Sequence, residues 1–570
     1  MADDIVNKEG KKKRKPLGQR LIEGGFITKE QLNLALKEQE RTGAMLGETL
    51  INLGFITPDV LSTTLAAQSG VEFIDLKRTA IEEEAIKKVP EDICKKYNVI
   101  PIDYDEEKNV LTVAAENIFD VDAISEIEEI SGARVRFVSA VPDEITNAIE
   151  IYYRGGRSLD ELIEESINLA SRPGIMAQEL TLAEEAPIVR LVDQLIIKGI
   201  KDRATDIHIE PDEKVLRIRY RIDGIMQMGP TIPKAIQPPV IARLKILSDV
   251  NIAEARIPMD GRVKFRIGKK VIDIRSSFYP TIFGYNVVLR LLDKSRVVLG
   301  LENLGFNEKN LEKFKDVIRR PHGIVLVTGP TGSGKTTTLY SALAFLNSIE
   351  KNIITIEDPI EYEFPIIRQS QVNEKAGFTF ATGLRSILRQ DPDIIMVGEM
   401  RDRETIDMAI RAALTGHLVF STLHTNDAVS AIPRLLDMGV ERFLLASTIN
   451  AIIAQRLVRT ICENCKVEYT PDPLILKRVG WVGEERPKFY KGAGCPACNN
   501  TGYKGRIAIF EMLVITPRLR ELISSGANFT EIKNAALEEG LVTLFEDGME
   551  KAREGKTTLE EVVRVSYGEV

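Results

Sequence analysis

Hydrophobic and polar positions change period several times along this chain, and each change marks a different kind of element. From Leu17 the apolar residues fall at helical spacing around a glycine turn, and the whole pattern returns at an offset of 29 residues. Leu17, Gly18, Leu21, Gly25, Phe26, Ile27, Thr28, Leu32, Leu36 and Gln39 recur as Leu46, Gly47, Leu50, Gly54, Phe55, Ile56, Thr57, Leu61, Leu65 and Gln68. Each unit predicts a short helix, a Gly turn, a Thr N-cap and a second amphipathic helix, with Thr28 and Gln31 spaced as a capping box. Two such units bury their apolar faces on each other. Over 71–153 the pattern is mixed α/β: Val99 to Ile102 and Val110 to Ala114 read as strands joined by a turn at 105–109, and Asp120 to Ile130 as a helix. Gly155-Gly156, an acidic stretch and Arg172-Pro173-Gly174 mark 154–185 as a linker, with one helix around 159–170.

An amphipathic helix over 187–200 then leads into strict alternation at Thr205 to Pro211, where Ile207 and Ile209 face one way and His208 and Glu210 the other. Val215 to Arg221 alternates too, so Arg217, Arg219 and Arg221 share a face. Asp260-Gly261-Arg262 reads as a hairpin-type turn, and Asp273 to Ser277 and Val287 to Leu292 as further strands. This arginine-rich face is either a solvated surface or one that meets phosphate, which guanidinium geometry suits. From 299 to about 460 apolar strands alternate with helices, an α/β signature. Residues 511–570 read as helical with polar faces.

The chemistry concentrates in the α/β stretch. Gly329-Pro330-Thr331-Gly332-Ser333-Gly334-Lys335-Thr336 follows the apolar strand Ile324 to Val327 and precedes a helix that opens with Thr337. That context makes it a phosphate-binding loop: glycines turn successive N–H groups inward, and the helix N-terminus adds its dipole. Lys335 reaches the β- and γ-phosphates, and Thr336 offers a hydroxyl to Mg²⁺. A second apolar strand ends at Glu357 and is followed by Glu361, both candidates for activating water. A third, Ile394 to Val397, ends in Gly398-Glu399, a Walker B arrangement serving Mg²⁺ or its waters. A fourth is flanked by His417 and His424, two of only four histidines, read as groups that sense phosphate. Beyond it, Cys462-x-x-Cys465 and Cys495-x-x-Cys498 have the spacing of a Cys₄ zinc site, closed and therefore structural. Cys94 stands apart as a small buried side chain.

Composition narrows the class further. At 570 residues the chain should hold several domains. Its 28% charged and 44% apolar residues are ordinary for a globular protein. The net charge of −8 and the lack of a basic–aromatic stripe argue against nucleic acid as a partner. No run of 18 apolar residues predicts a membrane span, and the N-terminus lacks a signal-peptide core, so a cytoplasmic location is expected. Residues 1–15 read as a disordered tail with a basic run from Lys11 to Lys15.

Taken together, Thr205 to Pro211 (close to Ser-Asp-Ile-His-Ile-Glu-Pro), the P-loop, the Asp box Thr355 to Glu361, the segment Asp391 to Glu399, the His box Thr415 to Asn426 and the two cysteine knuckles resemble the type II/IV secretion ATPases. The overall build is similar to the type IV pilus extension ATPases. The resemblance implies a homohexameric ring of ATP-hydrolysing subunits, each with a PAS-like α/β domain (186–298) hinged to a RecA-like domain (299–460), followed by the zinc segment (461–510). It implies ATP, Mg²⁺ and Zn²⁺ as cofactors. It makes Arg275 and Arg290 arginine fingers, places His417 and His424 in the His box, and leaves the roles of Glu357, Glu361 and Glu399 unranked. Implied partners are an inner-membrane platform protein and cytoplasmic pilus alignment proteins, with the enzyme peripheral to the inner membrane. The same motifs occur in type II secretion ATPases. The repeat over 16–70 resembles a cyclic di-GMP-binding N-terminal domain of some of these ATPases, although Pro16 and Met45 stand where that family has arginine. It is either such a sensor or a helical scaffold.

Overall fold

A computed structural model describes residues 17–24, 26–42, 46, 49–50, 53, 55–56, 71–153, 159–170, 183, 185–268, 270–293, 300–481 and 488–567. The chain divides into two compact units, 1–295 and 296–570.

In the first unit, helices Leu17–Glu23 and Lys29–Thr42 form the first half of the repeat. Thr28 and Gln31 make the reciprocal capping box, Thr28 N–H to Gln31 Oε1 at 2.8 Å and Gln31 N–H to Thr28 Oγ1 at 3.2 Å. Gly18 is where the helices meet: a Cβ there would sit 2.6 Å from a Leu32 methyl carbon. Leu21, Ile27 and Ala35 share a small core with Leu50 and Ile56, so the two repeat units do pack on one another. Gly25, Gly47, Gly54, Thr57, Leu61, Leu65 and Gln68 lie outside the described residues, as do the basic run and most of the linker.

A three-stranded sheet follows. After the two-residue strand β1 (Thr79–Ala80) come β2 (Val99–Asp105), β3 (Val110–Ala115) and β4 (Arg134–Ser139). β2 and β3 are antiparallel, and β3 and β4 are parallel across the helix Val121–Ser131. Further along are β5 (Ala204–Pro211), β6 (Val215–Ile222), β7 (Ile225–Pro233), β8 (Met259–Ile267), β9 (Lys270–Thr281) and β10 (Gly284–Leu292). Among the described residues they form a sheet of order β1-β8-β9-β10-β5-β6-β7, antiparallel except for β1 beside β8. Helices Ala186–Lys201 and Gln237–Leu247 supply its apolar cover, with Gly199 brought against Ile207 and Tyr220. The alternation over 205–211 holds, Ile207 and Ile209 being buried.

Asp260-Gly261-Arg262 is not a turn. These residues lie inside β8, paired to Ser277, Ser276 and Arg275 of β9. Glycine is needed there because the strand passes close to the end of the Gln237–Leu247 helix: a Cβ on Gly261 would lie 2.5 Å from the Ser248 carbonyl. The hairpin closes later, at the pair Ile267 with Lys270, and Gly268 has φ +52°.

The second unit is built on β11 (Gly323–Thr328), β12 (Ile353–Glu357), β13 (Arg368–Gln371), β14 (Ile394–Val397), β15 (Leu418–Leu423), β16 (Ile449–Ile461), β17 (Lys466–Tyr469), β18 (Phe489–Gly492) and β19 (Tyr503–Val514). The main sheet has the order β13-β12-β14-β15-β11-β16-β19, parallel through β16 and antiparallel at β19. Every residue of β11 is buried. Ile324 and Leu326 enter one core and Val325 and Val327 the other, which is why the run reads as continuously apolar. Residues 511–514 are strand, not helix: β19 pairs with β16 from Ala451–Val514 to Ile461–Tyr503. The C-terminal helices begin only at Pro517. The cysteine segment is thus an excursion from the far end of a long antiparallel pair, holding the small β17–β18 sheet. Among the described residues no helix is long and apolar enough to cross a membrane.

Candidate nucleotide and zinc sites

All the parallel strands of the second unit run the same way, so their C-terminal ends share one edge, the usual ligand edge of such a sheet. The P-loop leaves β11 at that edge. Gly329, Gly332 and Gly334 have φ of +145°, +79° and +87°, a left-handed path that turns the loop round. Gly329 also admits the neighbouring strand: a Cβ would lie 2.4 Å from the Gln455 carbonyl. Lys335 Nζ donates to the Gly329 and Pro330 carbonyls at 2.8 and 3.1 Å. Burial holds its ammonium below the ordinary lysine range, against the opposing pull of Glu399. Ser333 Oγ is buried with no hydrogen-bond partner among the described residues. Thr336 and Thr337 open the helix Lys335–Leu346 with exposed side chains. An unpartnered hydroxyl, a lysine parked on loop carbonyls and a glycine cradle fit a polyphosphate.

The carboxylates differ in setting. Glu357 ends β12 and is 3% exposed. It accepts from the Tyr340 hydroxyl, from Thr355 Oγ1 at 2.6 Å and from Gln369 Nε2 at 3.1 Å. Three donors hold it in one orientation. Glu361 lies four residues on, half-buried, its backbone N–H donating to the Tyr340 hydroxyl at 3.2 Å. Glu399 lies two residues beyond β14, paired with Arg401, and His424 Nε2 is 3.6 Å away. Its carboxylate and the Thr336 hydroxyl are oxygen donors of the kind Mg²⁺ takes, each following a parallel strand at this edge. His424 follows β15, and its neighbour Thr425 is tied to the base of the P-loop: Thr425 N–H donates to Thr328 Oγ1 at 2.8 Å.

His417 is not part of this grouping. It precedes β15, next to the pairing of Gly323 with Leu418, at the start of the strands. Its Nδ1 lies 2.8 Å from the Ala412 carbonyl and 3.1 Å from Thr415 Oγ1. Six strand residues separate it from His424, about 20 Å at the rise of a β-strand. Arg275 and Arg290 belong to the first unit, where they are direct partners on β9 and β10, with Arg290 Nε 3.1 Å from Asp206 Oδ1.

Sequence reading passed over Tyr340, Arg401, Gln455 and Arg456. Arg401 follows Glu399 by two residues and could have been suspected. Gln455 and Arg456 gave no local signal, since only the pairing of β16 with β11 brings them to the loop.

The four cysteines do converge. Cys462 and Cys495 Sγ are 3.8 Å apart, Cys465 and Cys498 3.8 Å, and Cys495 and Cys498 3.7 Å. All four lie within 4.8 Å of one another. A tetrahedral ZnS₄ centre with bonds of about 2.3 Å has edges of about 3.8 Å. Backbone N–H groups of Cys495 and Gly502 point at Cys498 Sγ, both at 3.3 Å. Gly492 and Gly502 let two backbones touch, a Cβ on Gly492 falling 2.0 Å from the Gly502 carbonyl. The set fits zinc.

A P-loop between a buried parallel strand and a helix, with carboxylates ending the neighbouring strands, defines a P-loop ATPase. The profile of the type II/IV secretion system protein family matches residues 181–564, and the chain belongs to that family. The MshEN domain profile matches 69–159. The chain is 42% identical to the type IV pilus assembly ATPase PilB of Myxococcus xanthus, over 96% of this chain and 98% of that one. It is 40% identical to the type II secretion system ATPase E of Vibrio cholerae, over 85% of this chain and 98% of that one. The fold is shared with the solved ATPase DotB of Legionella pneumophila (TM-score 0.50, 22% identity, 67% of this chain and 96% of that one).

Proposed function

We propose that this chain hydrolyses ATP to drive assembly of a type IV pilus. The observation that carries the reading is the length of the match to the Myxococcus pilus assembly ATPase, which takes in nearly the whole of both chains, N-terminal region included. In this reading the P-loop amides, Ser333 and Lys335 hold the phosphates, and Thr336 and Glu399 hold Mg²⁺, which neutralises charge on the phosphates. Glu357, clamped by Tyr340 and Thr355, orients the attacking water, with Glu361 beside it as the alternative base. His424 senses the terminal phosphate from the loop tied to Thr328. Arg275 and Arg290 supply positive charge to the transition state in a homohexamer, and the inner-membrane platform protein and cytoplasmic alignment proteins receive the motion. His417 serves at the opposite strand ends, outside this chain's own pocket. Cys462, Cys465, Cys495 and Cys498 hold a structural zinc that staples the β16–β19 arm.

Deleting the gene tests the assignment. Loss of surface pili and twitching with normal protein export supports it. The reverse phenotype moves the chain to type II secretion, whose ATPase E from Vibrio it also resembles. For the N-terminal repeat, cyclic di-GMP is the ligand to test, supported by the paired Leu-Gly and Gln positions. Calorimetry on the full chain reads it directly, and no heat at high ligand concentration leaves a scaffold.

A further inference from the structure

β16 does more than flank the P-loop strand. It pairs with β11 in parallel, Thr328 opposite Ala454, so Gln455 and Arg456 run on beside the loop itself. Gln455 is committed to the loop: its carbonyl packs on Gly329, and its Oε1 accepts from the Thr338 hydroxyl at 2.7 Å. Arg456 reaches the other way. Its Nη2 donates to Asn426 Oδ1 at 2.9 Å. Asn426 belongs to the loop after β15, and β15 borders β11 on the side opposite β16. The guanidinium therefore bridges in front of the C-terminal end of β11, where the chain enters the P-loop.

Arg456 has no carboxylate partner among the described residues, unlike Arg401 with Glu399 or Arg459 with Glu561. Partial burial holds it below the ordinary arginine range. It is also near enough to Lys335 for its charge to depress the ammonium further. The two cations repel each other, and the nearby acid, Glu399, acts on Lys335 and is paired with Arg401 rather than with Arg456. An anion seated on the P-loop that Lys335 opens onto would relieve that repulsion further. Asn426 is a neutral acceptor, which a phosphate oxygen outcompetes for a guanidinium.

We propose that Arg456 is a further contact to the terminal phosphate of ATP, supplied by the same chain that carries the P-loop, and that it exchanges Asn426 for that phosphate on binding. The proposal rests on the nucleotide reading of the site. The exchange frees the His424–Asp427 loop from β16 when the γ-phosphate is present and restores the tie when it leaves. Five residues after Arg456, β16 ends at Ile461 next to Cys462, so this contact lies at the root of the cysteine arm.

The test uses the full-length chain and fluorescent analogues of ADP and of non-hydrolysable ATP. Arg456→Ala is expected to weaken the ATP analogue about 10- to 100-fold, the worth of one or two charge-assisted hydrogen bonds. ADP affinity should change less than about threefold, because the γ-phosphate contact is the one lost. Arg456→Lys, which keeps the charge and most of the volume, should fall between. Asn426→Ala should leave both affinities undiminished, since it removes only the partner of the nucleotide-free state. Zinc content and the thermal midpoint confirm that each variant is folded. Equal weakening of both analogues in Arg456→Ala and Arg456→Lys, or weakening of neither, overturns the role of Arg456 alone. A wild-type chain that binds neither analogue overturns the nucleotide reading as well.

Discussion

Among the described residues the two large sheets have the same number of strands, and they put their charges to opposite use. In the second unit β11, β12, β14 and β15 are buried along their whole length. Lys335, Glu399 and His424 lie beyond strand ends, and Glu357 is the last residue of its strand. In the first unit the antiparallel sheet is covered by helices on one face, and the other face carries a cross-strand row. Arg262, Arg275, Arg290, Asp206 and Arg221 are successive neighbours on β8, β9, β10, β5 and β6. Asp206 is the one acid in that row, with Arg290 and Arg221 beside it at 3.1 and 3.7 Å. A parallel sheet wrapped on both faces can offer chemistry only at its edge, whereas an antiparallel one can offer a whole face.

The largest effect is expected where the parallel sheet turns antiparallel. Cys462→Ser should take bound zinc from one per chain to none by atomic absorption and destabilise the arm by roughly 5 kcal/mol or more, since a metal site carries much of the folding energy of so small a segment. Retention of zinc and of the thermal midpoint would break the staple account. At the strand ends, Glu357→Gln should lower kcat about 10³-fold, roughly 4 kcal/mol, with nucleotide binding kept, because a positioned carboxylate acts only on the transition state. An equal loss of binding would make Glu357 a structural residue.

On the open face, Arg275→Ala and Arg290→Ala should each lower kcat about 10²-fold if that face serves the nucleotide. Arg217→Ala, whose partner Asp212 is as solvent-exposed as itself, should change stability by under about 0.5 kcal/mol and leave kcat alone. Similar small effects at all three would reduce the row to a solvated surface. A pH-dependent effect concerns Asp193, buried on the helix that covers this sheet, with Tyr152 donating to it at 2.7 Å. Burial raises its carboxyl to about 6 despite the nearby Arg243. A raised acid pKa favours the folded state below the unfolded value near 4, and that contribution is lost as pH rises through about 6. Asp193→Asn should therefore be more stable than wild type by roughly 2–3 kcal/mol at pH 7.5 and equal to it at pH 4, read from denaturation midpoints. A pH-independent difference would contradict this.

What was legible in the sequence was local. The P-loop, the Walker-type carboxylates and the cysteine knuckles are each set by neighbours within a few residues. The Thr28–Gln31 capping box is likewise a contact three residues long. What escaped depended on register. Asp260-Gly261 has the look of a turn, yet its glycine answers to the Ser248 carbonyl on another element. His417 and His424 look equivalent because they bracket one strand, and a strand separates its ends rather than joining them. Arg456 sits in an ordinary apolar strand pattern, and only the alignment of β16 beside β11 reveals what it faces.

We propose that the edge formed by Gly329 to Thr336, Glu357 and Glu399 hydrolyses ATP. Phosphate release by the purified full-length chain with Mg²⁺, beside Lys335→Ala and Glu399→Gln, tests it most directly. Mg²⁺-dependent turnover is expected in the wild type, none in Lys335→Ala, and nucleotide binding with little turnover in Glu399→Gln. Turnover of Lys335→Ala at the wild-type rate would contradict it.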